Sequence, residues 1–238
     1  MAKILPDIRA RLRERFVINF RVDPDVLQRR LPDWLAPQLI DGAAVASYCL
    51  LDLDQVTFGP VPDKLGVRNR NCAQRYGIID TRSGEPCVYV AERNTDSRLG
   101  SFITGLGFPG HHPRLDVAMD AVDDGWRIEV GDGGATPLFA ARLQPASETR
   151  STLFPSTDAF AAFLAGGVRS YCPATDAAKL NVVDMHKQDT HYEPLVAVDI
   201  EDRIVRDWLE LDGPLAFDSA FRTVGGSYIW SYHGQAQR

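Results

Sequence analysis

Residues 43–56, AAVASYCLLDLDQV, put Val45, Ser47, Cys49, Leu51 and Leu53 on one side of an extended segment and Ala44, Ala46, Tyr48 and Leu50 on the other. Both sides are apolar through the middle. A strand of this kind needs cover on both faces, which a sheet with one solvated face cannot give it. The chain must therefore wrap material around it on two sides.

Other stretches carry the same period. FVINFRV (16–22) alternates Phe16, Ile18, Phe20 and Val22 on one face. A strand over Val67–Asp80 leads through the turn TRSGEP into CVYVAER (87–93), a hairpin. RLDVAMDAV and WRIEV flank Asp123-Asp124-Gly125, PLFAARL follows the GDGG turn, and GGSYIWSYH closes the chain as a last strand. KLNVVDMHK and HYEPLVAVDI are predicted to form a further hairpin around Lys187–Thr190.

Helical signals are fewer. Leu5, Ile8 and Leu12 fit a short amphipathic helix or arm over 5–14. Asp23-Pro24 supplies a cap and a first-turn proline. Thr95 or Asp96 can cap a helix carrying Leu99, Phe102, Ile103 and Leu106, and Ser156 or Thr157 one carrying Phe160, Phe163 and Leu164. About ten strands and three or four short helices, with no linker or repeat, predict one mainly β (α+β) domain over 1–238, an antiparallel barrel or curved sheet.

Composition restricts the partners. A net charge of −6 disfavours nucleic acid and anionic membrane as main partners. Lysine is confined to Lys3, Lys64, Lys179 and Lys187, so nearly all positive charge is arginine, which stays charged and grips carboxylates in bidentate fashion. Cys49, Cys72, Cys87 and Cys172 have no metal-ligand or redox spacing and read as reduced, buried thiols. The first residues lack the apolar core of a signal peptide and no run approaches a membrane span, so a cytoplasmic protein is expected.

The stretch Glu92–Val117 concentrates the chemistry-bearing residues. GLGFPG (105–110) has the form GxGxxG, but it follows a helix, contains Pro109 and opens no helix, so it is no dinucleotide site. His111-His112 could both ligate one metal ion only in an irregular loop, since adjacent strand residues point to opposite faces; one of them could line a cavity as general acid or base, or one could pack inward while the other is solvated. His186 and His191, with Asp184 and Glu193 beyond them, could face each other across a hairpin as metal ligands; a solvated hairpin tip is the plainer reading, and no metal or other cofactor is expected. No GxSxG is present.

RERFVINFRVDPDVLQRRLPDWL, LGVRNRNCAQRYGI, CVYVAERNTDSRL, GFPGHHPRLDV and the block from STDAFAAFLAGG to THYEPL together resemble the acetoacetate decarboxylase-like superfamily, in particular a branch of unknown function. The resemblance implies a cone-shaped antiparallel β-barrel holding a small ligand. Decarboxylases of that superfamily use a lysine that forms a Schiff base, placed after a Phe-Pro pair. Here Phe108-Pro109 is followed by Gly110 and His111, so that amine is missing. A family arginine falls on Arg13, and an acidic pocket position falls near Arg70 with its charge reversed.

These readings lead to two expectations. In one, a lyase- or isomerase-like enzyme without Schiff-base chemistry acts on an anionic or carbonyl-bearing small molecule in the barrel, with His111 or His112 as general acid/base and with Arg13, Arg70 and Arg98 holding the substrate. In the other, a non-catalytic ligand-binding or assembly module occupies a retired enzyme fold. A homo-oligomer is compatible with both.

Overall fold

The structure, a computed structural model, describes residues 5–98, 112–188 and 191–238. In chain order its strands are β1 (Ile8–Val22), β2 (Leu35–Pro37), β3 (Leu39–Ile40), β4 (Ala43–Phe58), β5 (Val67–Asp80), β6 (Glu85–Thr95), β7 (Asp116–Val122), β8 (Gly125–Gly131), β9 (Phe139–Pro145), β10 (Arg169–Pro173), β11 (Lys179–Lys187), β12 (Glu193–Asp202), β13 (Ala216–Val224) and β14 (Ser227–Gln237). The α-helices among the described residues are α1 (Pro24–Gln28), α2 (Thr157–Gly166) and α3 (Ile204–Trp208).

The predicted arm over residues 5–14 is instead the first half of β1, one strand of 15 residues. Ile8 and Leu12 satisfy a helical spacing, but Ile8, Ala10 and Leu12 also alternate with Arg9, Arg11 and Arg13. Pairing with β4 along the strand decides for the period of two.

β1 lies at the junction of two layers. On one side it pairs with β4; on the other, residues 8–11 pair with β14 and residues 14–21 with β13. The pairings β1–β4–β5–β6–β10–β11–β14–β1 close a ring of seven strands. From the second half of β1 a branch continues as β13, β12, β9, β8 and β7. The branch folds back over the outside of the ring: the Tyr48 ring lies 4.6 Å from Phe139, and Phe16 lies 5.6 Å from Trp126. Phe16, Ile18, Tyr48, Leu50, Tyr76, Ile128, Val130 and Phe139 form one core between ring and branch. The opposite face of β4, with Val45, Cys49, Leu51 and Leu53, turns into the ring beside Leu12, Val17, Met185 and Tyr228. Both faces of β4 are covered, as its sequence requires.

Two sequence expectations are corrected. The ring is not wholly antiparallel, because β6 and β10 run parallel. No hairpin joins β11 to β12: β11 pairs with β10 and β14 in the ring, and β12 with β9 and β13 in the branch. Two adjacent alternating runs look like a hairpin in sequence even when the chain passes between layers at their junction.

Helix α2 closes one end of the ring. Ser156 caps it by accepting from the Ala159 amide at 3.1 Å. Phe160 stacks on Phe221 at 3.9 Å, and Phe163 reaches the inner face of β5. There Gly77 leaves it room, since a Cβ at that position would lie 2.7 Å from the Phe163 ring.

Candidate functional site

Strand register builds the ring interior row by row. Leu53 and Asn69 are partners near the open end; Leu51, Asn71 and Thr95 form the next row; Cys49, Ala73 and Arg93 the next; and Ser47 pairs with Arg75 deepest. A cavity of about 180 Å³ runs along these rows. Ile8, Leu51, Leu53, Val56, Phe58 and Trp230 give it an apolar wall. Asn69, Asn71 and Thr95 face that wall, and Arg75 and Arg93 lie at the inner end. Beyond Arg75 a smaller chamber of about 30 Å³ reaches α2, lined by Arg15, Cys49 and Lys187 among others.

The interior is cationic. Arg15 is wholly buried; its Nη1 donates to the Tyr228 hydroxyl at 3.3 Å and its Nη2 to the Cys49 sulfur at 3.7 Å. Arg93 Nη2 donates to Ser170 Oγ at 3.2 Å. Arg75 reaches across the ring to Met185 Sδ at 4.0 Å, and its Nε is buried without a hydrogen-bond partner. Arg75 lines both the cavity and the smaller chamber. No carboxylate pairs with Arg75 or Arg93 among the described residues. Burial lowers the Arg75 pKa, and the charges of Arg15 and Arg93 push the same way. Burial acts to raise the Cys49 thiol, but Arg75 and Arg15 outweigh it and hold the thiol below its usual value. Cys72, without such neighbours, is pushed up to about 12 by burial.

The residues expected from sequence distribute as follows. His112 lines the cavity. A parallel bridge between Thr95 and Arg114 holds its segment against the end of β6. His111, Gly110 and the residues expected to form a helix, Leu99, Phe102, Ile103 and Leu106, lie outside the described residues. Arg13 and Arg70 are brought together, but on the outside of the ring, 3.7 and 4.0 Å from Asp52 Oδ2, which Arg68 holds in bidentate fashion. Arg13 is the extra residue of a bulge: Leu12 pairs with Leu53 and Glu14 with Asp52, so Leu12 and Arg15 face inward while Arg13, its side chain 51% exposed, faces out. Arg68 and Arg70 have the outward parity of β5, while Asn69 and Asn71 face in. Arg98 is exposed and does not line the cavity. His186 and His191 are exposed and do not face each other, because β11 and β12 belong to different layers. Asp184 instead pairs with Arg169 and His233, and Glu193 with Arg222. No cluster of three metal-ligating side chains occurs among the described residues.

The interior cations Arg15, Arg75 and Arg93 escaped the sequence reading. A usable signal existed for Arg75: on its face of β5 the neighbours are Ala73 and Gly77, small residues that leave space around a charged side chain. Lys187 lines the smaller chamber, and its Nζ donates to the Tyr192 hydroxyl at 3.2 Å.

The sequence profile of DUF2071, an uncharacterized conserved protein family, matches residues 9–214. The chain belongs to this family. The fold of this chain is similar to that of acetoacetate decarboxylase-like proteins of known structure. The acetoacetate decarboxylase of Legionella pneumophila superposes with a TM-score of 0.64 at 13% identity, over 97% of this chain and 88% of that one. The enduracididine biosynthesis enzyme MppR, in complex with pyruvate, gives 0.62 at 16% identity, over 100% and 91%. An acetoacetate decarboxylase-like enzyme from Sphingomonas wittichii gives 0.59 at 14%, over 100% and 94%. At these identities the likeness is one of fold. Sequence comparison with curated proteins gives no match. No helix among the described residues is long and apolar enough to cross a membrane.

Proposed function

We propose that the ring interior binds a small carboxylate, with Arg75 and Arg93 as its anchors. The observation that carries this reading is the Arg75 guanidinium, sunk at the end of the cavity with the Met185 thioether as its hydrogen-bond acceptor at 4.0 Å and no ion pair among the described residues. A buried charge without a counter-ion is costly, and an oxoanion entering the cavity relieves that cost. The planar guanidinium suits the two oxygens of a carboxylate. The pyruvate in the related MppR fold is a ligand of this chemical class.

As an enzyme the protein would be of the lyase or isomerase type, without an imine. The two guanidiniums hold the carboxylate of a 2-oxo acid and stabilise negative charge as it grows on the carbonyl oxygen. A proton leaves the carbon next to the carbonyl, its electron pair moves into the carbonyl to give an enolate, and His112 accepts the proton. Solvent deuterium exchange at that carbon of pyruvate or 2-oxobutyrate, followed by proton NMR, tests the reaction. Exchange that His112→Asn abolishes supports it; absence of exchange with every 2-oxo acid that binds rejects catalysis and leaves binding.

A non-catalytic binding module is the second reading. The observation favouring it is that the main cavity offers apolar walls, amides and guanidiniums, but no carboxylate and no lysine among the described residues. Its one cysteine, Cys72, is raised far from thiolate formation by burial. Titration calorimetry with pyruvate distinguishes either reading from none: heat of binding lost in Arg75→Gln is expected, and unchanged binding in that variant overturns the assignment of the anchor.

A further inference from the structure

We infer that the preferred ligand is an elongated carboxylate with an apolar tail, rather than a compact one of two or three carbons. This rests on the carboxylate reading above. The anchors lie at the inner end of the cavity, and Arg75 stands eight positions along β5 from Val67 at the rim. At a rise of about 3.3 Å per residue that separation is roughly 26 Å of strand, shortened in depth by strand tilt. A carboxylate of two or three carbons would occupy the inner rows alone.

The rows above the anchors are unequal around the ring. On the β5–β6 side they present Asn69, Asn71 and Thr95. On the β1, β4 and β14 side they present Ile8, Leu51, Leu53, Val56, Phe58 and Trp230. The apolar wall is continuous because these residues follow one another across paired strands: Leu12 beside Leu53, Ile8 beside Phe58, and Ile8 beside Trp230. An unbranched or flat hydrocarbon lying along that wall removes it from water, while its anionic head meets the guanidiniums. A polar tail would leave the leucines wetted, and a neutral head would leave Arg75 unpaired. The cavity therefore selects on both ends of the molecule.

The experiment is a chain-length series on the full-length protein: acetate, butanoate, hexanoate and octanoate by titration calorimetry, with hexanol as the neutral control. Affinity is expected to rise about three- to fourfold per added methylene across the series. Hexanol is expected to bind far more weakly than hexanoate. Trp230→Ser and Ile8→Ser, each checked for folding by circular dichroism, should flatten the dependence on length. Equal affinity for acetate and hexanoate, with both lost in Arg75→Gln, overturns the tail inference and leaves the carboxylate reading standing. Hexanol binding as tightly as hexanoate overturns the carboxylate reading itself, as does a series in which nothing binds at millimolar concentration.

Discussion

Asp202 is a carboxylate strongly displaced by its surroundings. Burial raises its pKa from 3.8 to about 6, against the help of the Val205 and Ile204 amides, and its Oδ2 is buried without a hydrogen-bond partner. The folded state therefore favours the protonated acid. Its contribution to stability is present in full below about pH 4 and is lost as pH rises through about 6. Asn at this position keeps the cap on Val205, which Oδ1 now supplies at 2.9 Å, and does not ionise. Asp202→Asn should stabilise by about 1–2 kcal/mol at pH 8 and by almost nothing at pH 3.5, read from urea midpoints at the two values. Arg75 permits a second test. Arg75→Met removes a buried, unpaired charge, so it should raise the melting temperature, by about 1–2 kcal/mol of stability, while abolishing carboxylate binding. A fall in stability would mean that the guanidinium is structural. Residue-scale function was only half legible in the sequence. The abundance of arginine was visible, but which arginines face inward depends on a bulge at Arg13 that moves the inward position to Arg15, and a bulge leaves no mark in composition.

Single elements were legible where a local signal and a tertiary need agreed. Helix α2 follows from Ser156 and the Phe160, Phe163 and Leu164 stripe, and the strand expected over Val67–Asp80 is β5. The first half of β1 was not legible, because two periods fit the same apolar residues and only β4 chooses between them. The connection from β4 to β5 shapes the cavity mouth. Gln55 stands at a φ of 51°, at the bulge between Leu53 and Val56. Gly66 packs so closely against the Gln55 backbone that a Cβ there would overlap it. Val56 and Val67, the neighbours of these two residues, both line the cavity. Gly66→Ala must push the two backbones apart. It should cost about 1–3 kcal/mol in chemical denaturation and weaken the longest ligands of the carboxylate series more than the shortest. Unchanged stability would show that the loop has slack.

At the scale of the molecule, the mainly β class follows from alternation alone, whereas the two-layer arrangement does not. The sequence marks β11 and β12 as strands but says nothing of their belonging to different layers, since a strand's partners are set by the whole sheet. The requirement for two layers was nonetheless present in β4, both of whose faces are apolar. The closure of the ring has a consequence for how the protein assembles. Ile8 pairs with Trp230 and Arg11 with Ser227, so the contact that encloses the cavity joins segments at opposite ends of the sequence. Loop-closure entropy and high contact order make such a contact slow to form, and most of it must be assembled at once. Trp230 fluorescence should therefore reach its native value in the slowest refolding phase, after the backbone signal of the sheets has recovered. A carboxylate added at the start of refolding should leave that phase unchanged and slow only unfolding, because until the two ends meet there is no enclosed space to occupy.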